Sequence, residues 1–214
     1  MIPLPPNPWG DRRRRRIGLL GGSFNPAHAG HRHISLMALR RLRLDEVWWL
    51  VSPQNPLKPV AGMAPLAERV AGARTVAAHP GIRVTGIEKA LGTRYTADTL
   101  PALTRRFPLA RFVWLMGADN LVEIPRWNRW RRIFATVPVA ILARSSYSHR
   151  ALAGQAARRF AHDRIPTPQA GRLAELDPPA WVFLHGRRHP ASATLIRAVK
   201  EARIRTGDHH STSE

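Results

Sequence analysis

Short, continuously apolar segments alternate along this chain with stretches whose apolar residues recur at helical spacing. That alternation decides the fold class. Val47-Trp-Trp-Leu-Val51 is the sharpest case, a strand-length run with no polar face. A strand of this kind fits burial on both sides, the pattern of a parallel sheet covered by helices. Ile17–Leu20, Ile82–Thr85, Phe112–Met116, Val139–Leu142 and Trp181–Leu184 read as further strands. Helices are expected from Ala29, where Ile34, Met37, Ala38 and Leu42 fall in register, and over Leu66–Ala78 and Thr96–Phe107, with Pro101 able to shift the start of the latter. Arg129–Thr136, His149–His162 and Thr194–Arg203 complete the helical set, and residues 163–180 read as an irregular connection. Strands alternating with helices predict a three-layer α/β/α fold around a central parallel sheet with right-handed crossovers. Residues 1–16, with the run Arg12–Arg16, read as a basic, Pro/Arg-rich tail, 17–205 as one domain, and 206–214 as a polar tail.

Composition narrows the chemistry. With 214 residues, 44% of them hydrophobic and 22% charged, the chain has enough apolar material for a real core. No apolar run approaches the roughly 18 residues of a membrane span. There is no cysteine, which excludes disulfide scaffolds, thiolate zinc sites, iron–sulfur clusters and Cys nucleophiles. The N-terminal stretch lacks the apolar core of a signal peptide, so the cytoplasm is the expected compartment. The net charge of +20 would attract polyanions, but all of the basic residues except Lys58, Lys89 and Lys200 are arginine, and they are dispersed. A compositional bias towards Arg and Ala explains this better than a nucleic-acid footprint does.

In a parallel α/β sheet, ligands bind beyond the carboxyl ends of the strands, and the notable residues of this sequence stand there. Gly21-Gly-Ser-Phe-Asn-Pro-Ala-His-Ala-Gly-His31 follows the first strand. Its glycines permit a tight turn and close backbone approach, and the helix that follows offers unpaired N–H groups to an anion. His28 and His31, three residues apart, can both project towards one phosphate chain. The segment is neither a Walker A loop nor G-x-G-x-x-G. A metal reading of His28, His31 and His33 has no nearby carboxylate, Asp45 being the nearest downstream. A purely structural turn is the other alternative. Near the far end, Ser192 and Thr194 can cap a helix, and Arg197 one turn on can bind phosphate oxygens.

The segment Gly21–His31 resembles the G-x-F-x-P-x-H-x-G-H signature of the nucleotidylyltransferase superfamily, and Ser192-Ala-Thr-Leu-Ile-Arg197 resembles that superfamily's second signature. Three further segments make the chain similar to bacterial nicotinate-nucleotide adenylyltransferases: Pro56-Leu-Lys58, Arg94-Tyr-Thr-Ala-Asp-Thr-Leu100, and Gly117-Ala-Asp-Asn-Leu121 followed by Trp127-Asn-Arg-Trp130. The resemblance spans roughly residues 17 to 200. It departs from the family at Asn25, where Asp is common, at Arg94, where Ser is usual, and at Ala193, where Ser is frequent. Asn25 reads as structural.

The resemblance implies a Rossmann-like nucleotidylyltransferase fold and the transfer of the adenylyl group of ATP to nicotinate mononucleotide, releasing pyrophosphate. It implies that His28, His31, Lys58 and Arg197 are catalytic and face the phosphates, with His31 closest to the transferred one. It places Gly21, Gly22, Ser23, Phe24, Gly117, Asp119, Ser192 and Thr194 around ATP, and Tyr95, Thr96, Trp127 and Asn128 around the nicotinate mononucleotide. Asp119 serves equally well as a helix cap or as a partner for a ribose hydroxyl. Trp130 and Glu88 read as structural, and Trp127 as a stacking surface. Mg²⁺ is expected on the ATP phosphates and water, with no protein metal site. The implied partners are the two small-molecule substrates, without membrane or nucleic acid and with room for a homo-oligomer. The alternatives are adenylyl transfer to nicotinamide mononucleotide, to both mononucleotides, or, in another class, a basic RNA-binding module on a nucleotide-binding fold.

Overall fold

The computed structural model describes residues 6, 10, 12–53, 62–143 and 148–186. Within them the strands are β1 (Arg16–Gly22), β2 (Glu46–Val51), β3 (Ile82–Thr85), β4 (Arg111–Gly117), β5 (Val139–Ala143) and β6 (Trp181–His185). The helices are α1 (Ala29–Arg41), α2 (Leu66–Ala77), α3 (Ile87–Leu91), α4 (Thr96–Arg106), α5 (Ala118–Glu123), α6 (Trp130–Thr136), α7 (Ser148–Leu152) and α8 (Gln155–Arg159). All six strands pair in parallel, in the order β3-β2-β1-β4-β5-β6. This is the doubly wound order, with its switch point between β1 and β4.

Two cores sit on the two faces of the sheet. On one, Ile34 and Ala38 of α1, its C-cap Leu42, and Ala73 and Ala77 of α2 pack with Trp49 and Val51. On the other, Leu100 and Leu103 of α4, Leu121 of α5 and Ile133 and Phe134 of α6 pack with Trp48 and Trp114. All six residues of β2 are buried, as its unbroken apolar run requires. Its two indoles bury their N–H groups with partners: Trp48 Nε1 donates to Glu46 Oε2 at 2.8 Å, and Trp49 Nε1 to Ser35 Oγ at 2.7 Å.

Three expectations need correction. The helix expected over His149–His162 is broken into α7, α8 and a 3₁₀ turn, Ala161–Asp163. Gly154 is the cause: its N–H bonds back to Ala151 and it serves as the N-cap of α8. Residues 163–180 are not irregular throughout but hold a 3₁₀ run, Thr167–Glu175, which turns Ala170, Leu173 and Ala174 into the sheet. Pro101 does not shift the start of α4, because side chains of the first turn pin it: Asp98 to Arg129 and Thr99 to Glu88. The short helices α3 and α5 were not anticipated. The first strand takes in Arg16, one residue of the expected tail. The helix expected over Thr194–Arg203 lies outside the described residues.

Gly21 and Gly22, expected to form a tight turn, instead end strand β1, and Gly21 carries a packing constraint. A Cβ there would lie 2.4 Å from Cη2 of Trp114, whose ring is buried and cannot swing aside. Gly21→Ala is expected to cost about 1–3 kcal/mol, the usual penalty of overpacking. Urea unfolding measures it, and an unchanged midpoint would mean that the Trp114 ring does not depend on the missing side chain.

Candidate active site

The turn after β1 and the N-terminus of α1 form the first part of the site. His28 is the N-cap of α1, and its Nδ1 accepts the N–H of Gly30 at 3.1 Å. Three residues on, His31 Nδ1 accepts the N–H of His28 at 3.2 Å. Two imidazoles thus form a reciprocal capping box, a task usually done by Ser/Thr and Glu. The chemical consequence is specific. A ring nitrogen that accepts a hydrogen bond carries no proton, so each neutral imidazole holds its proton on Nε2. The rings lie 3.8 Å apart, and that of His31 rests on Phe24 at 4.7 Å, which in turn stacks on Trp49 at 5.1 Å. Phe24, expected among the ATP contacts, is buried, so its side chain backs His31 from within the core. It takes a left-handed backbone, φ 47°, to get there. Ser35 Oγ donates to the carbonyl of His31 at 2.8 Å and accepts from Trp49, which fixes this turn of helix from below.

Asn25 is structural, but through contacts more distant than a local turn. Its Nδ2 donates to the carbonyl of Gly62 at 3.0 Å, and its Oδ1 accepts the N–H of Ala64 at 3.4 Å. An aspartate could not make the first of these bonds, which accounts for the amide here.

Arg69 was missed by the sequence reading. It lies on α2 yet is buried, and it donates to backbone carbonyls throughout. Nε donates to Ala64 at 2.8 Å, Nη1 to Ser23 and Ser52 at 2.7 Å each, and Nη2 to Pro53 at 2.9 Å. Among the described residues no carboxylate pairs with it. Burial draws its pKa below the ordinary arginine range. The signal was available: position 69 falls on the buried face of α2, alongside Ala73 and Ala77. Arg69 ties the loop after β1 to the loop after β2, which leads towards Lys58.

Gly21 and Gly22 end β1, Ser23 follows it, and Gly117 ends the adjacent β4, so the expected ATP-side residues of the two strands come together at the switch point. Gly117 is the N-cap of α5, which removes the cap role considered for Asp119. That residue sits exposed in the first turn of the helix. The segments holding Tyr95-Thr96 and Trp127-Asn128 are also brought together, because Asp98 of α4 pairs with Arg129. Tyr95 and Trp127 are half-buried, and Trp130 is buried in the core as expected. Lys58, Ser192, Thr194 and Arg197 lie outside the described residues.

Beside these segments, Glu88 is buried at the start of α3, and burial pushes its carboxyl up to about 7, with the Thr99 hydrogen bond acting the other way. Thr99 Oγ1 lies 3.0 Å from Glu88 Oε1, 2.9 Å from Thr93 Oγ1 and 3.2 Å from the carbonyl of Tyr95. A hydroxyl has one proton to give. A protonated Glu88 can donate to Thr99 and leave that proton for Tyr95, whereas an ionised one must take it.

The sheet order and the histidine-capped turn at its switch point define a doubly wound α/β protein with its crevice beyond β1 and β4, and that turn is the segment that resembles the nucleotidylyltransferase signature. The model of the family described as cytidylyltransferase-like matches residues 19–199. A protein of Bradyrhizobium sp. (strain BTAi1 / ATCC BAA-1182), named "Probable nicotinate-nucleotide adenylyltransferase", is 56% identical over 182 residues, 85% of this chain and 95% of the relative. One of the same name from Methylorubrum extorquens is 56% identical over 85% of this chain and 98% of its own. In fold, the chain is similar to the solved Plasmodium falciparum nicotinic acid mononucleotide adenylyltransferase complexed with NaAD, with a TM-score of 0.62 at 14% identity over 86% of this chain and 83% of that one. The chain belongs to the cytidylyltransferase-like family and, within it, to the nicotinate-nucleotide adenylyltransferases.

The raised Glu88 pKa carries a pH dependence of stability. The folded state holds its proton between about pH 4.5 and 7 where the unfolded state has lost it, so stability falls as pH rises through that window. Glu88→Gln, which cannot ionise, is expected to gain on the parent across the window, by roughly 3 kcal/mol at most above it. Urea unfolding of both proteins at pH 5 and pH 8 checks this. A difference independent of pH would show that Glu88 ionises as readily in the folded state as in the unfolded one.

Proposed function

We propose that this chain transfers the adenylyl group of ATP to nicotinate mononucleotide, giving nicotinate adenine dinucleotide and pyrophosphate. The observation that carries the reading is the reciprocal histidine cap at the switch point, in a chain that matches its adenylyltransferase relatives over nearly their whole length. A phosphate oxygen of the mononucleotide attacks the α-phosphorus of ATP in line, that P–O bond forms, and the bond to the β-phosphate bridging oxygen breaks. No protein nucleophile is required, so the protein's work is positioning and charge stabilisation. We assign the Nε2–H groups of His28 and His31 to the phosphate oxygens, with Lys58 and Arg197 as the cations that complete the set. Ser23, Ser192 and Thr194 add hydroxyl donors, Gly21, Gly22, Gly117 and Asp119 line the adenosine side, and Tyr95, Thr96, Trp127 and Asn128 the nicotinate side.

Mg²⁺ fits this reading as an ion carried on the ATP phosphates and water, where it offsets phosphate charge. In support, the donors at this end of β1 are imidazoles, a hydroxyl and backbone N–H groups, a set suited to phosphate oxygens rather than to a hard cation. Among the described residues no helix is long and apolar enough to cross a membrane. We place the enzyme in the cytoplasm.

The choice of mononucleotide rests on a carboxylate against a neutral amide on the same ring. Stacking on Trp127 cannot tell them apart, whereas N–H donors facing the carboxylate can, since an amide NH₂ would leave them unpaired. The kcat/KM for nicotinate mononucleotide is expected to exceed that for the amide by ~10⁴, read by ATP-dependent pyrophosphate release. Equal values would favour a dual-specificity enzyme.

His31 separates structure from chemistry. His31→Asn keeps an acceptor near the position of Nδ1 and loses Nε2–H, so turnover is expected to fall by ~10²–10³ with stability nearly kept. His31→Ala loses the cap as well and is expected to cost a further ~1 kcal/mol in unfolding. Parental turnover in a folded His31→Asn would remove His31 from the mechanism.

A further inference from the structure

One side chain joins the two segments that the proposed reading puts around the pyridine ring. Arg129 Nη2 lies 2.7 Å from Oδ1 and 2.6 Å from Oδ2 of Asp98, two residues beyond Thr96 on α4. The same guanidinium donates from Nε to Asn128 Oδ1 at 2.9 Å. Arg132 Nη1 approaches Asp98 Oδ1 at 3.8 Å from the next turn of α6 and reinforces the pair. Arg129 makes these contacts from a left-handed backbone, φ 47° and ψ 38°, as the N-cap of α6. A residue with a Cβ is strained there, and glycine would not be. Its side chain makes no cap bond to the helix, so helix termination does not explain an arginine at this position. Nor does fold stability. The pair is solvent-exposed, with the side chains 53% and 31% accessible, and exposed pairs add little. Strain held at a loop by a contact that adds little stability is the pattern of a functional constraint.

We propose that Asp98 and Arg129 form a clasp that sets the distance between the Tyr95-Thr96 turn and the Trp127-Asn128 loop, making Arg129 a positioning residue for the mononucleotide. This rests on the assignment of those segments to the nicotinate side. Neither residue of the pair touches the reacting phosphates in that assignment. The clasp therefore acts on how the mononucleotide binds and leaves ATP binding and the chemical step alone. On the inner side of the same helical turn, Thr99 is bonded to Glu88 of α3. With Asp98 held outside and Thr99 inside, the first turn of α4 cannot rotate to move Tyr95 away from the loop.

The test is steady-state kinetics on the full chain for Asp98→Asn, Arg129→Gly and the double variant, with thermal unfolding of each. Each single change is expected to raise KM for nicotinate mononucleotide about tenfold, and the double to be no worse than either single, because both remove one interaction. KM for ATP and kcat should stay within about twofold, and Arg129→Gly should unfold at or above the parental temperature, since glycine relieves the left-handed strain. Unchanged KM in the singles, equal effects on both substrates, or losses that multiply in the double would each overturn the clasp. A fall in KM in Asp98→Asn, as expected if the released guanidinium took the nicotinate carboxylate, would overturn it too. A parent unable to adenylylate nicotinate mononucleotide would overturn the functional reading itself. The parent's own activity distinguishes that result from failure of the clasp alone.

Discussion

Strand β1 is hydrogen-bonded along both edges, to β2 on one side and β4 on the other, and the geometry of the site depends on that double pairing. A strand paired twice in parallel is fixed in register and buried, so the residues that leave its end start from a fixed place. The crossovers on either side of it run to opposite faces of the sheet, which opens a crevice beyond β1 and β4. The chain enters that crevice as Gly21-Gly22, where the buried Trp114 ring fills the space a side chain would need at Gly21. Phe24 then turns back into the core, and His28 and His31 close the N-terminus of α1. Glycine, aromatic and histidine each occupy a position that the central strand has already restricted.

What surrounds this turn is held by backbone groups rather than by ion pairs. Arg69 donates to carbonyls from the loops after β1 and β2, and Asn25 bonds the stretch that leads into α2. A buried guanidinium needs a carboxylate or hydrogen bonds to most of its N–H groups, and here four bonds to carbonyls serve. The choice matters electrically. A carboxylate would have cancelled the charge, whereas carbonyl dipoles solvate the Arg69 guanidinium without neutralising it. In the proposed reading, an anionic substrate near that charge is attracted by it.

The strands and the sheet class were legible because their signals are local: an unbroken apolar run such as Val47–Val51 has one good use in an α/β domain. The histidine turn was legible for the same reason, since glycines, histidines and a following helix lie within a dozen residues. What was lost lay in local breaks that helix and strand templates do not register, or in contacts distant in sequence. Gly154 breaks a helix whose composition looked continuous. The 3₁₀ run after Pro166 follows a three-residue period that helical and strand templates both miss. Arg69 looked like one more surface arginine in an arginine-rich chain, and only its place on the buried face of α2 marks it. Phe24 was read with its ligand-facing neighbours, yet its positive φ sends the ring inward instead. Asp98 and Arg129 stood in view inside two recognised segments, but no spacing rule links residues so far apart on the chain.

The two sides of the crevice are therefore built from different interactions, and the difference suits what each must do. The side that the proposed reading gives to the phosphates uses hydrogen bonds between imidazoles and backbone, with distances set by the helix itself. Such bonds do not weaken with salt and allow little movement, as in-line displacement at phosphorus requires. The side that the proposed reading gives to the nicotinate is set by an exposed ion pair at Asp98 and by the single hydroxyl proton of Thr99, which lies within reach of Glu88, Thr93 and Tyr95. An exposed pair is screened by salt, and a carboxyl near neutrality responds to pH. In the proposed reading, precision is thus concentrated where bonds break, and adjustability where the second substrate enters. Two imidazoles locked by the backbone would serve the first purpose well, because their donors need no reorganisation at the moment of transfer.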